Sequence, residues 1–406
     1  MPKKVFSALK MSNKTRNILL LILVFLFFSF VYQYFVKKDM SDFGVCYQGG
    51  ERIINGETLY RVSDGHLQYK YSPASAVFFS LFTLFPYEVA KYIWYLSEII
   101  FLFLGLFISY DILPSKQKKK GLVLIFSFLV LVKFFGREIE LGQVNIFIFF
   151  LLIMMVKALL NKNDVKGGLF FGLSLIFKPY GLVFLPYFIL KKRFKSIASG
   201  FGTVIIGLTL PMIFYGLRGN IVVLKQWQKT LSQSTPGLLD QYDTASIFAF
   251  FLKIVPDESR ELAFIFIVCS GLVIAFSFLW IMILGKRENL KKPEVLEYSF
   301  LFVLIPLFSP LAWYYNYLYS ILAIVFLINY IDKFPKVLKY LLIANLIIIG
   351  GSLWEVLGKD VFRFYTGYSL VVISYLIILF IKQLFVRKFA CILTKFCPPF
   401  KNYFSI

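Results

Sequence analysis

The chain has one histidine, four cysteines and few charges: of its 406 residues only 16% are Asp, Glu, Lys or Arg. Each scarcity excludes something. A lone imidazole, His66, cannot assemble a histidine-ligated metal centre, and a histidine-driven triad would have that single position to use. Cys46, Cys269, Cys391 and Cys397 show no zinc-type spacing. No glycine-rich phosphate cradle of the kind that serves nucleotides is present. Charge this sparse, beside 59% apolar and 19% aromatic residues, leaves too little polar surface to coat a soluble core. The composition therefore predicts an all-α polytopic membrane protein.

The apolar run from Leu19 to Val36 follows Lys3, Lys4, Lys10, Lys14 and Arg16 and is long enough to cross a bilayer. No small-residue cleavage site follows it, so it reads as a retained first span rather than a signal peptide. Further runs over 89–110, 121–135, 143–156, 167–177, 179–190, 197–216, 261–285, 298–309, 313–331, 340–354 and 366–381 predict about 12 (11–13) spans or broken helices. The pieces 167–177 and 179–190 reach only about half of the hydrocarbon at a rise of about 1.5 Å per residue. They read as a broken or re-entrant pair meeting at Lys178-Pro179.

Basic residues set the expected orientation. Segments 1–18, 111–120, 157–166, 191–195, 286–297, 332–339 and 382–406 hold 28 of the 44 Lys and Arg against 6 of the 22 acids, and so the whole formal charge of +22. Alternate loops being basic places these segments, with both termini, in the cytosol. Nucleic acid is not an expected partner, because the bases are spread over short loops rather than gathered on one face. Residues 1–406 read as one integral membrane domain, with two long external loops, 37–86 and 218–260, and a basic cytosolic tail, 382–406. The first loop predicts a short interfacial helix beginning with Ser41 as its cap and ending near Gly56, then an apolar piece between Pro73 and Pro86 that dips without spanning. In the second, "VVLKQWQKTL" reads as amphipathic and "TASIFAFFLKIV" as interfacial.

Polar residues at membrane depth are costly, so each asks for a reason. Lys178 is the costliest, at about 2.5–3.5 kcal/mol on insertion scales. Pro179 bends the chain there and frees carbonyls. Either Lys178 snorkels to the external surface or it holds an anion in a membrane-level cavity. "FGREIELGQVN" packs Arg137, Glu138, Glu140, Gln143 and Asn145 between two apolar runs; a solvated turn accounts for the first two, but Gln143 and Asn145 enter the next span and need partners. "SPLAWYYN" puts Trp313, Tyr314, Tyr315 and Asn316 after Pro310; an aromatic belt accounts for the rings and leaves Asn316 unexplained. Asp42, beyond the first span, is a solvated acid or a partly shielded general base. All these breaks fall on the external side, as suits a cavity open to lipid, and a phosphate already attached to a membrane lipid fits better there than a cytosolic nucleotide donor.

Five pieces carry a resemblance: "DFGVCYQGGERIINGETLY", "YSPASAVFFSLFTLFP", "LGQVNIFIFFLLIMMV", "GGLFFGLSLIFKPYGLVFLPYFILKKRFK" and "SPLAW", in that order from about 42 to 315. The chain resembles the polyprenyl-phosphate-mannose-dependent α-mannosyltransferases of glycosyltransferase family 87, within the GT-C superfamily. The resemblance implies a GT-C fold and inverting transfer of a sugar, mannose first, from a polyprenyl-phosphate donor to a glycolipid or glycan acceptor. It implies no metal or other cofactor and an active site on the external face of the plasma membrane. Asp42 takes the place of the catalytic base. Lys178, Arg137, Lys70, Gln143, Asn145 and His66 are the candidates for holding donor phosphate or sugar. Glu138, Glu140, Asp240, Trp313, Tyr314, Tyr315 and Asn316 are candidates for the acceptor side of the pocket. Relatives often carry histidines where this chain has Tyr314 and Tyr315, which leaves the sugar open. The rival reading is a lipid-linked saccharide transporter or polymerase, against which the missing inverted repeat counts.

Overall fold

Long runs of Leu, Ile, Phe and Val must satisfy their backbone groups within their own segment when lipid surrounds them, and helix does this. The computed structural model describes residues 22, 25–234, 236–287 and 292–393, and these fold as helices with no β-strand among them. The basic segment 1–18, most of the first-span residues before Phe25, and the end of the tail from 394 lie outside the described residues.

The first helices are α1 (Phe25–Val36), α2 (Ser41–Ile54), α3 (Pro73–Phe79) and α4 (Tyr87–Asp111). The middle of the chain forms α5 (Lys120–Leu141), α6 (Asn145–Leu160), α7 (Asp164–Phe177), α8 (Leu185–Leu190), α9 (Phe194–Thr209) and α10 (Met212–Ser234). After these come α11 (Ile247–Ile254), α12 (Arg260–Arg287), α13 (Pro293–Phe308), α14 (Ile321–Tyr330) and α15 (Lys336–Gly351). The last are α16 (Trp354–Leu357), α17 (Lys359–Gly367) and α18 (Val371–Leu393). Among the described residues three helical segments are long and apolar enough to cross a membrane singly, Tyr87–Asp111, Asp257–Ile283 and Tyr314–Lys333. Three bent pairs raise this to six if each is one span: α5 with α6 at 120°, α9 with α10 at 98°, and α17 with α18 at 63°. Several runs that read from sequence as separate spans are thus arms of bent pairs, and the count near 12 rests on pieces shorter than a bilayer.

One end of the bundle gathers the loops assigned together by charge. Lys118 pairs with Asp332, Lys120 with Asp111 at 3.0 Å and Lys339 with Asp332 at 2.6 Å. The other end carries α2, α3, the α5–α6 turn and the break after α7. α7 and α9 pack backbone to backbone: a Cβ on Gly168 or Gly172 would lie 2.3 Å from the carbonyl oxygen of Ser196 or Gly200. Such contacts give helices in lipid the close packing that solvent does not drive.

Four expectations are corrected in detail. Arg137 and Glu138 are not in a solvated turn, because nothing breaks the helix before Gly142; with Glu140 they lie at the C-terminal end of α5, and Glu138 is fully buried. Ser41 does not cap α2; Met40 holds the cap position in the left-handed region, without a side-chain hydrogen bond. The 218–260 loop begins inside α10, which runs on through Arg218 to Ser234. Lys382 is no tail residue: α18 runs to Leu393, and the lysine is buried against α13 with its Nζ donating to Ser299 Oγ at 2.6 Å.

Gly142 couples the α5–α6 turn to α2. Its φ of +67° is strained for any residue with a side chain, and a Cβ there would sit 2.8 Å from Cβ of Phe43 in α2. Its carbonyl accepts from Trp94 Nε1 at 3.1 Å, and the Met40 amide donates to the Glu140 carbonyl at 2.7 Å. These contacts seat α2 against the α5–α6 turn. Gly142→Ala is therefore expected to cost about 1–3 kcal/mol through strain and overpacking, read as a lower thermal midpoint of the purified protein in detergent; an unchanged midpoint would contradict this seating.

Candidate active site

Lys178 is where helix α7 stops. Its backbone is extended (φ −146°, ψ 146°), as the following proline requires, and Pro179 opens a 3-10 stretch to Phe184. The broken pair expected from sequence is present. Its side chain does not snorkel outward: Nζ donates to Gln143 Oε1 and Asn145 Oδ1, both at 3.0 Å. It also lies over the rings of Tyr71 and Tyr180, 5.4 and 5.5 Å from their centres. Amide oxygens and ring faces together offset the cost of bringing an ammonium to this depth.

Gln143 is the bridge. Its Nε2 donates to Asp42 Oδ2 at 2.5 Å while its Oε1 accepts from Lys178 and, at 3.2 Å, from Tyr71 Oη. An amide is suited to this, since it presents an acceptor to the cation and a donor to the carboxylate. Asn145, two residues on, does the same, its Nδ2 donating to Glu138 Oε1 at 2.5 Å and to Asn316 Oδ1 at 3.3 Å. Asn316 in turn donates to Tyr180 Oη at 3.0 Å, which accounts for the asparagine that an aromatic belt did not. Six residues named from sequence thus meet in one network: Asp42, Glu138, Gln143, Asn145, Lys178 and Asn316.

Asp42 stands at the network's edge, near the start of α2, half-buried. Burial pushes its carboxyl above the ordinary aspartate value; Lys178 foremost, then the Gln143 hydrogen bond, Arg137 and Lys70 pull it back. A carboxyl so placed holds a proton more tightly than that of a solvated aspartate. Glu138, by contrast, is inaccessible, and its Oε2 has no hydrogen-bond partner among the described residues.

Arg137 and Glu140 face the other way, pair at 2.8 Å and line a cavity of about 310 Å³ with Lys133, Tyr314, Ser352 and Tyr365. Asp42 and Lys178 do not line it, so α5 separates cavity from network while its last turn serves both. Tyr315 is buried and stacks on Trp313 at 6.5 Å between ring centres. Two candidates lie apart: His66 is exposed, and Asp240 is exposed and paired with Arg260 at 3.2 Å. Lys70 offers its carbonyl to Trp227 at 3.1 Å, and its charge reaches Asp42.

Three residues escaped the sequence reading. Asp243, not Asp240, is the acid of the second loop close to Arg137; only the fold of that loop, whose Asp243 carbonyl accepts from the Tyr314 amide at 3.0 Å, could distinguish them. Lys133 and Glu98 both interrupt apolar runs, and the cost that singles out Lys178 would have singled them out as well. Glu98 is fully buried with neither oxygen partnered among the described residues. Among those residues no three of His, Cys, Asp and Glu converge as metal ligands.

An all-helical bundle with long apolar helices is the architecture of a membrane protein. The chain belongs to glycosyltransferase family 87, whose family model matches residues 69–310. It is a membrane glycosyltransferase. The matched stretch contains Gln143, Asn145 and Lys178 and stops short of Asp42 and Asn316. No curated protein and no solved structure matches the chain.

If Asp42 must be ionised to act, activity falls as pH drops through its raised midpoint. Gln143→Leu and Lys178→Met remove two groups that favour the carboxylate, so each is expected to move the acid limb of the pH–rate profile to higher pH, Lys178→Met further. Limbs that stay put or move down would show that Asp42 is not the titrating group.

Proposed function

We propose that this glycosyltransferase moves a hexosyl group, mannose first, from a polyprenyl-phosphate donor to a glycolipid or glycan acceptor at the external face of the plasma membrane, with inversion. The observation that carries the reading is the Asp42 carboxylate, half-buried beside lipid-depth cations and oriented by Gln143. Asp42 takes the proton from an acceptor hydroxyl as its oxygen forms a bond to the anomeric carbon. The bond from that carbon to the phosphate oxygen breaks on the opposite face, and the lipid phosphate leaves with the electron pair. Phosphate is already a good leaving group, so no acid partner is required. The cations of the site, Arg137 with Lys178 and Lys70 behind it, oppose the negative charge that builds on it.

Lys178 has a second task in this scheme. Held by two amide oxygens, it fixes the Gln143 amide with its donor edge toward Asp42, which keeps the reactive carboxylate oxygens turned to the acceptor. Glu138 and Asn145 brace that arrangement from below, and Tyr314, Tyr315 and Trp313 offer ring faces for a sugar.

Asp42→Asn retains the shape and the contact with Gln143 but cannot take a proton. Transfer of radiolabelled sugar from a polyprenyl-phosphate sugar is expected to fall by about 10²–10⁴, with expression and melting behaviour retained. Residual activity within a few-fold of the parent would move the base elsewhere. No label transferred and no lipid phosphate released by the unaltered protein would favour a transporter or polymerase.

A further inference from the structure

A second concave region lies on the outer, lipid-facing side of the bundle, toward the end of α5 that is remote from Asp42. Leu122, Phe126 and Leu129 of α5 face Ile343 and Ile347 of α15 across a groove of about 590 Å³, lined also by Ile328 of α14. That volume falls within the range of small-molecule sites, about 300–1,000 Å³. Leu122, Phe126, Leu129 and Ile347 are all exposed, so no described part of the chain fills the groove. α5 and α15 run in the same direction and touch where the groove stops: a Cβ on Gly350 would stand 3.3 Å from Cα of Val130, and just beyond it Lys133 reaches Ser352. Beside that contact Gly351 has no atom within 4 Å of where its Cβ would be.

The other end of the groove is basic. Lys118 is the one charged residue among the described residues that line it. It shares the Asp332 carboxylate with Lys339, so two ammonium groups stand on one acid. Lys119 follows, exposed and without an acid partner among the described residues. The two loops that meet here hold four lysines between 116 and 120 and three between 333 and 339, against Asp111 and Asp332. Such an excess at a membrane surface attracts anionic lipid, each lysine strengthening the attraction about fivefold. From Leu122 to Val130 α5 rises about 12 Å at about 1.5 Å per residue. One leaflet contributes about 15 Å of hydrocarbon, so the groove has the length of an acyl chain whose headgroup is level with Lys118.

We propose that the groove is a site for an anionic phospholipid of the leaflet at this end: one acyl chain lies between α5 and α15, and the headgroup phosphate rests at Lys118 and Lys119. The headgroup is then at the far end of α5 from Asp42, so this lipid takes no part in sugar transfer. It acts as a strut. By filling the space between the two helices it holds α15, and with it Ser352, the partner of Lys133, against α5.

The test titrates the full-length protein, in a neutral detergent, with dioleoyl phosphatidylglycerol or dioleoyl phosphatidylcholine and counts retained lipid by native mass spectrometry. Phosphatidylglycerol is expected to be retained more tightly and to raise the melting temperature. Carried with a photoreactive acyl chain, it should label peptides within 122–130 and 343–351. Lys118→Gln combined with Lys119→Gln should lower the preference for phosphatidylglycerol about fivefold per lysine. Gly351→Leu fills the groove and should weaken both lipids about tenfold, the loss of about two buried methylenes; Ile347→Trp fills it lower down and serves if the first variant does not fold. Melting temperatures without added lipid are the fold control. Equal retention of the two lipids, labels outside those peptides, or parental binding in the groove-filling variants would overturn the site. So would a doubled mass with cross-links between 126 and 347 of two chains, which would assign the groove to a second copy. None of these readouts uses sugar transfer, so their failure would leave the proposed function standing.

Discussion

The contact on which the rest depends is the double hydrogen bond of the Gln143 side chain, to the Lys178 ammonium on one side and the Asp42 carboxylate on the other. A cation and an anion at membrane depth each cost several kcal/mol alone. Placed on either side of one amide, they offset each other without forming a direct ion pair. A direct pair would hold the carboxylate in its ionised form and occupy its oxygens. Through the amide, one oxygen is held and the carboxyl keeps a raised affinity for protons.

The surrounding fold serves that geometry. α7 must end at Lys178 for the ammonium to turn inward, and the proline after it ensures that it does. α5 must end in a left-handed glycine for α2 to approach, and Gly142 provides it. Asn145, Glu138 and Asn316 form a second, deeper layer in which every amide is used. Such a network is stable only when nearly complete, because each unsatisfied member at this depth costs about 1–3 kcal/mol. The unpartnered oxygens of Glu98 and Glu138 are the exceptions, and they lie together behind the site.

Much of this was legible in the sequence. Lys178-Pro179 declared its break because proline chemistry is local and a charge in an apolar run is conspicuous. Gln143, Asn145 and Asn316 declared themselves as polar residues that hydropathy could not place. What was not legible depended on direction. Arg137 and Glu138 are neighbours in sequence yet face a cavity and a sealed interior, because successive residues on a helix point about 100° apart. Asp240 and Asp243 differ only by how an irregular loop is pinned to the 313–316 segment. Span counting is coarse for a related reason: hydropathy reports apolar length, and bent pairs such as α5 with α6 divide that length in ways composition does not record.

The proposed reaction, with one base, a leaving lipid phosphate and no covalent intermediate, is a single displacement. The anomeric configuration of the product tests it most directly. Transfer from a polyprenyl-phosphate sugar of defined configuration, with the product's anomeric proton coupling read by NMR, should show the opposite configuration in every linkage formed. Retention of configuration, or transfer that does not use the lipid phosphate at all, would contradict the account.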